Sequence, residues 1–282
     1  MLQALTHHWP EYLIEALLLG TFMVVACVSV VVLNHPGSLA VRRIANPNVR
    51  RAIIGVLMGL TAVVLIYSSL GQRSGAHMNP ATTLSFLALG KVHAWDAAFY
   101  VMAQFVGGAA GVGLASIVLR SLVRHPDVNH AATLPGRRGV RVAWIAEFGI
   151  TLVLMSMVLI TSNRASTAAY TGVIAGGLVA LYITIEAPLS GMSMNPARTL
   201  GSAVHARDFR ALWVYFTAPP LGMLCAAGLY VIAVGSGHVY CCKMSHAADE
   251  PCIFNCRIGE MPGQSMRPIR ASGIQEDAAS HR

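Results

Sequence analysis

The chain has 282 residues, of which 55% are hydrophobic and only 11% charged. A soluble domain carries about 25% charged residues, so the composition excludes an ordinary water-soluble enzyme or binding module. The net charge of +8 does not point to nucleic acid, because the arginines fall in loops between apolar runs, where membrane proteins carry them; the expected surroundings are a lipid bilayer.

Taken in chain order, apolar runs of about 20 residues, enough to cross a bilayer, recur six times. The first covers about 12–33 and carries Glu15 near its start. No basic segment precedes it, so no cleaved signal peptide is expected. A loop over 34–51 holds Pro36, Pro47 and four arginines, and its Asn46-Pro47 pair reads as a turn or helix cap. The second span, about 52–69, contains Gly55 and Gly59, a small-xxx-small pair that lets helix backbones approach. A helix of only about 80–88 follows, too short to cross, so it should enter and stop part-way. The third span, about 96–119, carries Gln104 and three glycines (Gly107, Gly108, Gly111). An arginine-rich polar loop then connects to a second half with the same plan. Its spans lie at about 142–162, opening with Glu147, at about 170–187 and at about 211–234, with a short helix at about 196–204 before the last.

The feature that organises both halves is a short stretch present twice. Residues 74–84 read Ser-Gly-Ala-His-Met-Asn-Pro-Ala-Thr-Thr-Leu, and residues 190–200, lying 116 positions later, read Ser-Gly-Met-Ser-Met-Asn-Pro-Ala-Arg-Thr-Leu. Asn is a good N-cap, and Pro at the first helical position has its φ already set and no N–H to lose. Each copy therefore reads as the start of a short helix. Each half has three spans, an odd number, so the halves must be inverted relative to each other, as in membrane transport proteins.

The paired motifs Asn79-Pro80-Ala81 and Asn195-Pro196-Ala197, the second continuing into Arg198, resemble the aquaporin (major intrinsic protein) family. The resemblance covers roughly 225 of the 282 residues. It implies an all-α membrane protein with six transmembrane helices plus two re-entrant half-helices in an inverted repeat. An aquaporin-like channel domain would occupy 1–235, with repeat halves at about 10–120 and 140–235, ahead of a polar C-terminal tail over 236–282. Helix N-termini carry about half a positive charge each. Two of them meeting at Asn79 and Asn195 would oppose cations while offering donors to neutral hydroxyls. The resemblance further implies that backbone holds each Asn amide oxygen, leaving the NH₂ aimed into the lumen.

A charge inside an apolar segment is costly and marks function; the resemblance makes Arg198 the cationic member of a narrow selectivity filter. Counting in step with the family places Ile183 where orthodox water channels have His, and Met192 at the next position. Met58 or Gly59 would supply the partner from the second span. Such a filter is more apolar than the orthodox one and is similar to those of members that pass small neutral solutes. Thr199, where glycerol facilitators have Asp, and the aromatic pair Tyr215-Phe216, where they have Pro-Leu, resemble water channels instead. Glu15 and Glu147 are read as acceptors for the irregular backbone leading into each half-helix, with Gln104 and His77 in similar bracing roles. The methionines are read as packing.

The tail holds Cys241, Cys242, His246, Cys252 and Cys256. Thiolates and imidazole at short spacings could hold Zn²⁺, with free thiols or disulfides as the alternatives. Residues 258–282 read as disordered by composition. Family topology puts both termini in the cytoplasm, yet it assigns 12 Arg/Lys to the outside and 8 to the inside, against the positive-inside rule.

The function expected is passive passage of water, with small uncharged solutes such as glycerol alongside and ions and protons excluded. A homotetramer in the plasma (inner) membrane is expected, without nucleic acid, enzyme activity or a required cofactor. The competing reading is a proton-coupled or metal-sensing membrane protein that uses the intramembrane Glu residues or the Cys/His tail.

Overall fold

A computed structural model describes residues 1–246 and 252–263. Six helices are long and apolar enough to cross a membrane. The chain is a multi-pass integral membrane protein built from eight principal helices. They are α1 (Leu2–Asn34), α2 (Pro47–Tyr67), α3 (Pro80–Ala88), α4 (Ala94–Leu119), α5 (Val140–Ser162), α6 (Thr171–Ile185), α7 (Pro196–Ala206) and α8 (Leu212–Val234). At about 1.5 Å rise per residue, α3 and α7 are too short to span the ~30 Å hydrocarbon layer.

Two starts lie earlier than the apolar runs predict. The polar first turns of α1 are tied to the start of α4: His8 Nδ1 lies 2.8 Å from Asp96 Oδ1, and the Tyr12 hydroxyl donates to the same oxygen at 2.5 Å. Helix α2 begins at Pro47 because the Asn46 side chain caps it, accepting from Asn48 N. The cap adds a polar first turn that hydropathy does not register.

The packing repeats between halves. Helix α1 packs on α4 as α5 packs on α8; α7 packs on α4 as α3 packs on α8; and α1 meets α2 as α5 meets α6. Exchanging the halves maps this pattern onto itself, with α2 against α6 at the centre. That central contact depends on missing side chains. A Cβ on Gly59 would lie 2.5 Å from the Gly176 carbonyl oxygen, and one on Gly176 would lie 2.6 Å from that of Gly59.

The tail is folded where it is described. Residues 239–244 are buried, and Ile258–Glu260 form a turn of 3₁₀ helix with Ile258 buried. Composition read disorder from 258 onward; apolar contacts of Ile258 and Met261 with Tyr240 and Cys241 order the first part. Residues 264–282 lie outside the described set.

Candidate functional site

Each half-helix begins where its asparagine caps it. Asn79 Oδ1 accepts from Ala81 N at 2.9 Å, and Asn195 Oδ1 accepts from Ala197 N at 2.9 Å and Arg198 N at 3.2 Å. The proline at the next position supplies the fixed φ. Each amide also reaches across to the other half: Asn79 Nδ2 donates to Met194 O and Asn195 Nδ2 to Met78 O, both at 2.7 Å. An amide has two hydrogens, so one per asparagine remains for the lumen that both line. The two helix N-termini are thus held face to face by two reciprocal bonds.

The loops leading to them are bent the same way. Gly75 and Gly191 sit at φ 91° and 81°, and Ala76, Met78, Met192 and Met194 all lie between 48° and 57°. Left-handed non-glycine residues are costly and need over-determining contacts. The two buried glutamates supply them. Glu15 Oε1 accepts from Ser74 Oγ and His77 N at 2.9 Å each, and its Oε2 accepts from Met78 N at 2.6 Å and Gln104 Nε2 at 2.8 Å. Glu147 Oε1 accepts from Ser190 Oγ at 2.5 Å and Ser193 N at 2.7 Å, and its Oε2 from Met194 N at 2.7 Å.

One tyrosine completes each brace: Tyr100, which the sequence did not single out, and Tyr215, singled out there only as one of an aromatic pair. The Tyr100 and Tyr215 hydroxyls donate to the Ser74 and Ser190 carbonyls at 2.8 and 2.5 Å. Their positions in the third span of each half were the available signal. Thr83 and Thr199 also correspond, but their partners differ. Thr199 Oγ1 meets the Ser193 hydroxyl at 2.5 Å, whereas Thr83 Oγ1 meets the Nδ1 of His77 at 3.0 Å. The imidazole is longer than the hydroxyl it corresponds to, and its Nε2 reaches the Cys242 carbonyl at 3.1 Å. A carbonyl only accepts, so Nε2 carries the proton and Nδ1 accepts from Thr83.

A cavity of about 120 Å³ runs between the halves. Helices α2 and α6 pack antiparallel, and their register orders its lining. At one end lie Met58, Ile183, Met192 and Arg198; Asn79 and Asn195 lie along it; Ile66, Ala175 and Met244 lie at the other end. Arg198 Nη1 is buried with no hydrogen-bond partner among the described residues. Gly59, the alternative to Met58, does not line the cavity, because it faces Gly176 in the helix contact. Seven methionines (Met58, Met78, Met155, Met192, Met194, Met223, Met244) line the cavity, so these are lumen residues rather than packing alone.

In the tail, Cys241 Sγ, His246, Cys252 Sγ and Cys256 Sγ offer ligand atoms that all lie within 4.8 Å of one another. Cys241 and Cys252 sulfurs are 3.8 Å apart, and Cys256 Sγ lies 3.3 Å from His246 Nε2. All six cysteines are unbridged. Hydrogen bonds from Cys241 and Cys252, with His246 alongside, push the Cys256 thiol down, while the contact with Cys241 pushes Cys252 up. Cys242 stands outside the cluster. Its carbonyl serves His77.

The sequence matches the family model described as "Major intrinsic protein" over residues 4–230. Among curated proteins, aquaporin NIP6-1 of Arabidopsis thaliana is 38% identical over 173 residues, covering 61% of this chain and 54% of that protein. Nodulin-26 of Glycine max is 34% identical over 181 residues, 64% of each. The chain thus spans between half and two thirds of the length of these relatives. Among solved structures, the X-ray structure of the aquaglyceroporin from Plasmodium falciparum superposes with a TM-score of 0.64 at 18% identity, covering 78% of this chain and 94% of that one; it shares the fold.

Proposed function

Since the chain belongs to the major intrinsic protein family, we propose that it is a passive transmembrane channel for water, with small uncharged solutes such as glycerol alongside, that excludes ions and protons. The observation that carries this reading is the pair of capped N-termini facing each other along one cavity, with Asn79 and Asn195 both on its wall. A cation there would lose hydration and meet two positive helix ends. A neutral hydroxyl would meet donors it can accept from. Arg198 adds a fixed positive charge and an unused donor at the constriction. The apolar partners Met58, Ile183 and Met192 support passage of solutes less polar than water. Both glutamates are engaged with loop backbone, which supports bracing over proton carriage. Conduction of this kind needs no cofactor.

We infer, from the family, a homotetramer in the plasma (inner) membrane. Light scattering of the detergent-solubilised protein, corrected for bound detergent, would return four chains per particle, and a monomer would remove that inference. Zn²⁺ is the candidate occupant of the tail cluster of Cys241, His246, Cys252 and Cys256, since three sulfurs and one imidazole form a closed four-ligand set.

The direct test is stopped-flow light scattering of liposomes containing the purified chain, with sucrose and then glycerol outside. Shrinkage faster than in empty liposomes is expected in both. Re-swelling in glycerol would report solute passage, and a stable volume would report a water-selective pore. No acceleration from the folded chain or from a folded Met244→Ala variant, which trims the cavity wall, would reject the channel reading.

A further inference from the structure

Met244 belongs to the tail, yet it lines the same cavity as Asn79 and Asn195, at the end opposite Arg198. Its backbone N–H donates to Gly75 O at 3.1 Å, which places it against the loop that leads into α3. Two residues earlier, the Cys242 carbonyl accepts a hydrogen bond from the His77 imidazole Nε2–H. The tail's second segment docks on the same loop. Phe254 stacks on the His77 ring at 5.6 Å and 15°, opposite Phe86 at 5.4 Å and 21°. Asn255 binds Lys91 O at 3.0 Å and Gly90 O at 2.7 Å. The tail therefore crosses one mouth of the pore as two segments, 239–246 and 252–257.

The four ligand-bearing residues are divided between those segments, with Cys241 and His246 on one and Cys252 and Cys256 on the other. A Zn–S bond of about 2.3 Å in a tetrahedron sets sulfurs about 3.8 Å apart, which is the separation of Cys241 and Cys252. It is far beyond the ~2.05 Å of a disulfide. Three sulfurs favour soft or borderline cations over Mg²⁺ or Ca²⁺. Metal binding at a site assembled from separate segments supplies folding free energy to the arrangement it joins. The joined arrangement here is the one with Met244 in the lumen.

We propose that one thiophilic divalent cation of the Zn²⁺ class, held by Cys241, His246, Cys252 and Cys256, staples the tail across this mouth with Met244 in the pore, so that bound metal closes the channel and its removal opens it. This rests on the channel reading above and adds its regulation. Among the described residues the second half has no counterpart: Ser193 stands where His77 does, and its hydroxyl bonds only within its own loop and to α7, so the device acts at one mouth.

The test uses liposomes containing the full chain. Osmotic water flux is measured with Zn²⁺ buffered at saturation on both faces, then after a membrane-permeant chelator, then after Zn²⁺ is restored. Metal analysis should return one Zn²⁺ per chain. Co²⁺ substitution should give the intense thiolate and tetrahedral absorption bands. Chelation should raise flux severalfold, and Zn²⁺ should reverse it. Cys252→Ser with Cys256→Ser should bind no Zn²⁺ and conduct rapidly whatever the metal level. Met244→Ala should still bind one Zn²⁺ yet conduct rapidly in its presence, a combination that a merely structural metal would not produce. Rapid wild-type flux with Zn²⁺ bound, unchanged by chelation, would overturn metal closure and leave the channel reading standing; so would failure to bind Zn²⁺ at all. If folded Met244→Ala and the double serine variant both conduct no faster than empty liposomes, the channel reading itself fails.

Discussion

Glu15 and Glu147 hold the loops that shape the cavity without being part of its wall. Each binds two consecutive backbone N–H groups and a serine hydroxyl in a loop with three left-handed residues. Glu147→Gln replaces an acceptor oxygen with an amide donor facing Met194 N or Ser193 N. Leaving a buried donor unmet costs about 1–3 kcal/mol. The variant should therefore unfold at lower temperature in detergent and conduct water more slowly; an unchanged melting temperature and flux would show that the brace is dispensable. Arg198 is the residue on which ion exclusion should be most sensitive. Arg198→Val should admit monovalent cations, read as a K⁺ current in planar bilayers that the parent lacks. A silent bilayer from folded variant protein would assign exclusion to the helix ends alone. Met58 and Gly59 are adjacent, and only the rotation of α2 against α6 decides that Met58 faces the cavity and Gly59 the helix contact.

At the scale of elements, the half-helices are legible because their signals are local. An asparagine cap followed by proline starts α3 and α7 wherever the chain goes next. The central α2–α6 contact is a different matter, since small residues announce that helices can approach but not which helix arrives. Adjacent glycines in α6 give a clean contrast. A Cβ on Gly176 would strike Gly59 O and the Val63 side chain, whereas one on Gly177 meets nothing within 4 Å. Gly176→Ala should lower the melting temperature, by an overpacking cost of about 1–3 kcal/mol. Gly177→Ala should be neutral or stabilising by roughly 0.5–1 kcal/mol, since alanine loses less backbone entropy in a helix. Equal melting temperatures for the two variants would mean that the helices can separate without loss.

For the molecule as a whole, two halves in inverted register share one packing scheme, and the cavity lies along their junction. The symmetry is broken at His77 and Ser193, and the tail docks on the side that carries the imidazole. The six spans, the two interrupted halves and the residues that cap them were determined by the sequence alone, because hydropathy, capping and the repeated motif are local properties that read the same in any surroundings. The family resemblance supplied the bracing role expected of Glu15 and Glu147. Tertiary structure alone decided the rest. It decided which of two neighbouring residues faces the lumen, that seven methionines line it, and that Tyr100 and Tyr215 hold the loops. It also decided that Cys241, His246, Cys252 and Cys256 converge while the Cys242 carbonyl meets His77, and that Met244 returns to the cavity from a distant segment. Each of these depends on helix rotation or on a contact between residues far apart in the chain, and a one-dimensional pattern contains neither.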